Sequence, residues 1–162
     1  MRRTATVICA VVLAVAGAVT GSSSAVASVR PSLVQVPPPG YGGPVATCSG
    51  TLVYTSSLRT AAGTWGDSYV DITYTTANNG TLCAKVFDNL SGSHHMEIVV
   101  RRSTWQTPWY DSGTFDTYAG GIQHFGNGVC VIFFSRVTVN GVNYEDRIGL
   151  TPGYAGNVCW QP

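Results

Sequence analysis

The sequence predicts an all-β domain: an antiparallel β-sandwich or small barrel of seven to eight strands, held by two disulfides. Three observations indicate this class. Beyond residue 50, no segment keeps the hydrophobic period of an amphipathic helix. β-branched and aromatic residues are frequent there, and glycine-containing turn signals recur roughly every ten residues, a spacing typical of sandwiches and barrels. Because both architectures share this pattern, it does not separate them.

The first well-defined element is a hairpin. Residues 69–75 alternate between apolar and polar side chains, as a strand with one buried face does. Asn-Asn-Gly at 78–80 follows, and these residue types tolerate the positive φ angles of a tight turn. Residues 82–87 are then expected to form the returning strand.

Further strands are predicted along the rest of the chain. Residues 95–102 and 110–118 form two of them, and residues 129–134 are apolar on both faces, which indicates a strand buried on both sides. Asn140-Gly141 suits a type I′ turn and predicts a second hairpin, whose returning strand covers residues 144–150.

The start of the chain resembles an export signal. Arg2 and Arg3 supply a positive beginning, residues 7–19 are apolar and uncharged, and Ala-Val-Ala at 25–27 fits a signal peptidase site. Residues 1–27 are therefore interpreted as a signal peptide, and the mature protein is expected to be secreted, with no membrane segment after cleavage.

The mature chain divides into a tail and a domain. Residues 28–47 are rich in proline and glycine and favour extended conformations over a packed element. Residues 48–162 are enough for one disulfide-stabilised β domain with its own core.

The charge balance argues against nucleic acid as a partner. Loss of Arg2 and Arg3 with the signal leaves seven of nine basic residues against eight acidic ones, a net charge of about −1. Nucleic acids and anionic lipid surfaces reward clustered lysine and arginine, which this chain lacks.

Cysteine content points to an oxidising compartment. Cys9 is removed with the signal, and the four remaining cysteines are Cys48, Cys83, Cys130 and Cys159. Small exported domains use such cysteines as disulfides. Three pairings are open, and we favour the nested one, Cys83 with Cys130 and Cys48 with Cys159. A zinc site would need close pairs such as Cys-x-x-Cys, and the chain has none.

Catalytic signatures are weak throughout the chain. His94 and His95 are adjacent and point to opposite faces of a strand, and His124 stands alone. Asp111 and Asp116 also fall on opposite sides of one strand, and no Gly-x-Ser-x-Gly elbow is present. We therefore expect no catalytic residues, no cofactor and no metal, and interpret the protein as a non-enzyme.

One aromatic cluster suggests a ligand. Trp105, Trp109 and Tyr110 lie within six residues, and flat rings on a rigid β scaffold bind sugars by stacking on their CH faces. A cell-wall or spore-surface polysaccharide would be the partner. The alternative is that these rings fill the core, where aromatic side chains contribute the largest buried areas.

Four short segments carry a family resemblance. Residues 111–121 contain a Ser-Gly…Tyr-Ala-Gly pattern, and residues 128–131 read Gly-Val-Cys-Val. With Arg-Arg-Ser at 101–103 and Asn-Val-Cys at 157–159, the chain resembles the spore-associated protein A family of small secreted streptomycete proteins. The resemblance implies an exported protein associated with spores or aerial growth, without an established enzymatic activity.

These observations lead to a functional expectation with two alternatives. The protein is expected to be a secreted, non-enzymatic protein associated with the spore or cell surface. The first alternative is a carbohydrate-binding module. The second is a secreted protease inhibitor, since small exported domains with two disulfides also serve that purpose.

Overall fold

The computed structural model describes residues 36–103, 107–151 and 158–160. The predicted signal peptide lies outside them. The described residues form one 3-10 turn, Ala77–Asn79, and ten strands: β1 (Tyr41–Gly42), β2 (Thr51–Arg59), β3 (Trp65–Thr75), β4 (Thr81–Phe87), β5 (His94–Arg102), β6 (Trp109–Phe115), β7 (Tyr118–Phe125), β8 (Val131–Val139), β9 (Val142–Leu150) and β10 (Val158–Trp160).

All strand pairs are antiparallel, and the sheet nearly closes into a barrel. The strand order is β1-β7-β4-β3-β2-β9-β8-β5-β6, with β10 paired to β9. β2 and β9 pair at a single position, Arg59 with Glu145, so this junction divides the sheet into two halves. The predicted all-β class is confirmed, and the eight longer strands β2 to β9 agree with the expected number.

Both predicted hairpins are present. The turn between β3 and β4 uses positive φ angles of 54° at Asn78 and 58° at Asn79. The turn between β8 and β9 does the same, with 50° at Asn140 and 78° at Gly141. Asparagine and glycine adopt these left-handed angles at little cost, and for this reason both turns could be predicted from the sequence.

The core lies between the two halves. Alternate residues of the long strands point inward, and Phe133 on β8 is among the largest fully buried side chains. Burial of one aliphatic or aromatic side chain of this kind stabilises the fold by roughly 1.5–3 kcal/mol. The inward-facing aliphatic positions include Leu58, Val70, Ile72, Leu82, Val86, Met96, Ile98, Val100, Ile122, Val137, Ile148 and Leu150.

β4, and not β8, is the strand buried on both faces. On β8, buried and half-buried residues alternate, so the expectation for residues 129–134 was wrong. The outward ring of Phe134 is instead covered by the guanidinium groups of Arg136 and Arg147, 4.9 and 5.3 Å from its centre. Cation–π contacts of this kind let an apolar ring occupy an outer face.

An N-terminal strap, residues 44–48, covers the outer face of β4. The Val45 N–H donates to the Gly121 carbonyl at 3.0 Å, and the Lys85 ammonium donates to the Ala46 carbonyl. Gly121 permits this approach, because a Cβ there would lie 1.9 Å from the Val45 oxygen. Part of the segment expected as a tail therefore packs against the sheet.

The disulfides differ from the favoured nested pairing. Cys48 bonds to Cys83 and Cys130 bonds to Cys159, with Cα–Cα distances of 5.5 and 5.9 Å. The presence of two disulfides was predicted correctly, but the pairing was wrong. The reason is topological. Cys83 faces the strap in one half of the sheet, whereas Cys130 directly precedes β8 in the other half. Each bond therefore forms within one half.

Side chains close the seam where β5 and β6 approach β7 and β1. The Trp109 indole N–H donates to the Gly42 carbonyl at 3.1 Å, and Asp111 accepts a 2.7 Å bond from the Gly120 N–H. Arg102 Nε donates to His124 Nε2 at 2.8 Å. These bonds replace the backbone ladder that a fully closed barrel would have at this position.

Acid is expected to destabilise this seam through His124. The imidazole is fully buried, and burial, followed by the positive charge of Arg102, lowers the pKa of His124 to about 4. The unfolded state, with a pKa near 6.5, therefore binds more protons below that pH. The contribution of His124 to the free energy of unfolding is therefore fully present above pH 6.5. It is lost as the pH drops towards 4, by about 2.5 kcal/mol at roughly pH 4.5.

Urea unfolding of the native protein and of His124→Gln, at pH 7 and at about pH 4.5, measures this contribution. Glutamine can still accept a hydrogen bond from Arg102 but does not titrate, so the variant should lose about 2.5 kcal/mol less than the native protein over that interval. An equal loss in both proteins would show that His124 does not cause the acid sensitivity.

Candidate ligand-binding groove

A surface groove lies where β2 and β9 diverge. Its main compartment has a volume of about 590 Å³, and its wall includes Arg59, Phe134 and Arg147. A second compartment of about 260 Å³ shares both arginines and extends to Tyr54 and Trp65. The groove exists because the two strands pair only at Arg59 and Glu145, so the surface opens on both sides of that pair.

Trp65 presents an exposed indole to this groove. It is the first residue of β3, and the residue is 61% exposed. The Arg59 guanidinium lies 5.6 Å from the centre of the ring. Gly66 permits β3 to start here, because a Cβ at that position would lie 2.6 Å from the Tyr144 ring.

The preceding turn holds the backbone next to Trp65. The Thr60 N–H donates to the Thr64 carbonyl at 2.9 Å, and the Thr64 N–H donates to the Thr60 hydroxyl at 3.1 Å. Two bonds between the same residues close the β2–β3 connection directly before Trp65. The ring is thus attached to a short, hydrogen-bonded turn.

The acidic groups of the groove are held by protein donors. The Tyr54 hydroxyl donates to Asp146 Oδ2 at 2.7 Å, and Arg136 Nε donates to Glu145 Oε1 at 2.7 Å. Burial, reinforced by Asp146, raises the pKa of Tyr54 to about 12, although a bond from Ser56 opposes the shift. Tyr54 therefore remains a protonated donor at neutral pH and orients Asp146.

The aromatic cluster predicted from the sequence does not form one platform. Trp105 lies outside the described residues. Trp109 is 3% exposed and packs in the core, so the stacking interpretation is wrong for this residue. Tyr110 follows it in β6, points to the opposite face and is 43% exposed.

Sequence reasoning missed Trp65 because it stands alone. No second aromatic residue lies beside it in the chain. Phe134 and Asp146 come from distant positions, and Arg59 meets it only through the β2–β3 turn. The available signal was local: a tryptophan directly after a turn and directly before a glycine, at the start of an alternating strand. That pattern alone does not distinguish an exposed ring from a buried one.

Asp88 and His94 form a second polar cluster. The His94 imidazole contacts the buried Asp88 carboxylate, which also accepts bonds from the Ser68 hydroxyl at 3.2 Å and the Leu90 N–H at 3.0 Å. Ser68 thus donates to the carboxylate and not to the imidazole. A serine nucleophile would instead bond to its histidine base. The bonds from Ser68 and Leu90 to the Asp88 carboxylate tie the 88–94 loop to β3.

Three further findings concern metal sites, membrane-spanning helices and similarity to known proteins. Among the described residues, no group of three or more His, Cys, Asp or Glu side chains is placed to hold a metal ion. Nor do those residues include a helix of the length and apolarity needed to cross a membrane. No protein-family model matches the chain, and no curated protein and no solved structure shows significant similarity to it.

Proposed function

We propose that this chain is a secreted, non-enzymatic surface protein that attaches to polysaccharide through the groove beside Trp65. The observation that carries the proposal is the exposed indole at the edge of a groove whose polar side chains are already oriented. This site takes the place of the cluster expected at Trp105, Trp109 and Tyr110.

The chemistry of the groove suits a sugar. The indole offers a flat apolar face for the CH groups of a pyranose ring, and tryptophan buries a large area when covered. Planar guanidinium and carboxylate groups next to that face can hydrogen-bond neighbouring hydroxyls. A shallow site with a few fixed polar groups is the usual way in which proteins orient small polar ligands.

The two-compartment shape suits a polymer. Arg59, Asp146 and Arg147 line both compartments, so the groove continues past them from Trp65 towards Phe134. A single sugar would leave most of this groove empty, whereas an extended chain can occupy both compartments. A cell-wall or spore-surface polysaccharide is therefore the partner that we propose.

Export supports a surface role. Residues 1–27 resemble a signal peptide, and the two disulfides are of the kind that persist in oxidising compartments outside the cytoplasm. The resemblance to the spore-associated protein A family adds spore or aerial-growth surfaces to this proposal.

Co-sedimentation with insoluble chitin, cellulose and peptidoglycan tests the function. We expect saturable binding to at least one of them, and Trp65→Ala to weaken it on the order of thirtyfold, since truncation of a tryptophan that carries much of the contact with a ligand commonly costs about 2 kcal/mol. The matched control is Tyr110→Ala, which removes another exposed ring outside the groove and should bind normally.

Two results would contradict the proposal. One is an absence of binding to all three polymers by the native protein. The other is equal binding by the native protein and Trp65→Ala, because polysaccharide would then be held elsewhere.

A further inference from the structure

We infer that the groove selects a polysaccharide bearing an oxyanion, a carboxylate or a phosphate, and that Arg59 is the specificity-determining residue. This inference rests on the proposed polysaccharide binding and deepens it. It follows from which hydrogen-bonding groups of the groove are already used within the protein and which are not.

Arg59 has unused donors. Its guanidinium carries five N–H groups, and no residue in the described part of the chain accepts a hydrogen bond from them; its contact is with the Trp65 ring. Because the Arg59 guanidinium lies 5.6 Å from the centre of the Trp65 ring, its donors are within reach of a ligand that contacts the indole.

The neighbouring acids are engaged by other groups. Asp146 accepts from Tyr54, and Glu145 accepts from Arg136, whose Nη1 also reaches Glu97 at 3.3 Å. These acids balance the positive charge of Arg59 and Arg147, so the groove has no large positive field. Its selectivity would come from the directed N–H groups of Arg59 and not from general attraction of polyanions.

An oxyanion matches these donors better than a hydroxyl does. A carboxylate or phosphate accepts two parallel N–H···O bonds from one guanidinium, and charge-assisted bonds are about twice as strong as neutral ones. A sugar acid stacked on Trp65 would place its oxyanion at the ring edge, next to Arg59. A uronic acid and a phosphate-bearing sugar polymer share this chemistry.

Equilibrium binding to three soluble polymers tests the inference: a polyuronate, the same polyuronate after reduction of its carboxyl groups, and the reduced polymer after phosphorylation of its hydroxyl groups. We expect the native protein to bind at least one anionic polymer about tenfold more tightly than the reduced one at physiological salt, a difference of about 1.4 kcal/mol that a charge-assisted hydrogen bond can supply. Preference for the polyuronate identifies a carboxylate, and preference for the phosphate polymer identifies a phosphate.

Substitutions at Arg59 separate a directed contact from simple charge. Arg59→Gln should abolish the tenfold preference, because it weakens binding of the anionic polymer more than binding of the reduced polymer. Arg59→Lys keeps the charge but loses the paired donors, so it should retain only a minor part of the tenfold preference. Arg101→Gln removes a positive charge outside the groove and should leave the preference intact. Circular dichroism verifies that each variant is folded.

Several outcomes would overturn the inference. Equal binding of the reduced and anionic polymers contradicts it while leaving the proposed function in place. An unchanged preference in Arg59→Gln, or an equal loss in Arg101→Gln, assigns the selectivity to another group or to overall charge. If the native protein binds no polysaccharide, the proposed function itself fails.

Discussion

Trp109→Ala should lower the free energy of unfolding by about 3–5 kcal/mol, the usual cost of truncating a buried tryptophan. The side chain fills the core at the start of β6, and its indole N–H donates to the Gly42 carbonyl of β1 across the seam. Truncation therefore leaves a cavity and an unpaired carbonyl where the barrel has no backbone ladder to hold it together.

Neighbouring substitutions separate these contributions. Trp109→Phe keeps most of the packing but loses the hydrogen bond, so it should cost about 1–3 kcal/mol. Tyr110→Ala changes an exposed ring on the opposite face of the same strand and should cost about 0.5 kcal/mol or less. Urea unfolding of the three variants measures the series. Similar stabilities for Trp109→Ala and Tyr110→Ala would refute the placement of Trp109 in the core.

Removing the disulfide of the N-terminal strap is the other change with a large expected effect. The double variant Cys48→Ala/Cys83→Ala opens a loop with a sequence separation of 35 residues, and the chain-entropy model gives a loss of about 4 kcal/mol. The strap is also expected to become accessible to protease, because its remaining attachments are hydrogen bonds such as those at Val45 and Lys85.

Paired cysteine variants also test the connectivity. Peptide mapping of Cys48→Ala/Cys83→Ala under non-reducing conditions should still yield the linked Cys130–Cys159 peptides. Cys83→Ala/Cys130→Ala should leave Cys48 and Cys159 as two free thiols in the folded protein. A Cys48–Cys159 crosslink in the native protein would instead support the nested pairing and contradict the structure.

The placement of the disulfides leaves the groove without a covalent crosslink across it. One bond lies in each half of the sheet, and neither crosses the β2–β9 junction. That junction consists of the pair Arg59 and Glu145 and of the Tyr54–Asp146 bond. Each half is thus crosslinked separately, while the line between them stays open as the surface to which we assign binding.

Local features of the chain were sufficient to predict six of the eight longer strands, β3 to β6, β8 and β9, but not β2 or β7. Alternation over residues 69–75 and the Asn-Gly turn at Asn140 each involve residues within a few positions of one another, and the structure confirms both hairpins. The interpretation of residues 129–134 was wrong because periodicity cannot show what covers an outer face. Phe134 lies under two arginines, one of them on another strand.

By itself, the sequence determined the all-β class, the turns and the use of cysteines as disulfides, because these depend on backbone preferences and on short-range patterns. Only the tertiary structure decided the pairing of Cys48 with Cys83, the burial of Trp109 and the placement of Trp65 and Asp146 in one groove. Those outcomes depend on which strands become neighbours across the sheet, and that choice is made by the packing of the whole core and not by any one segment.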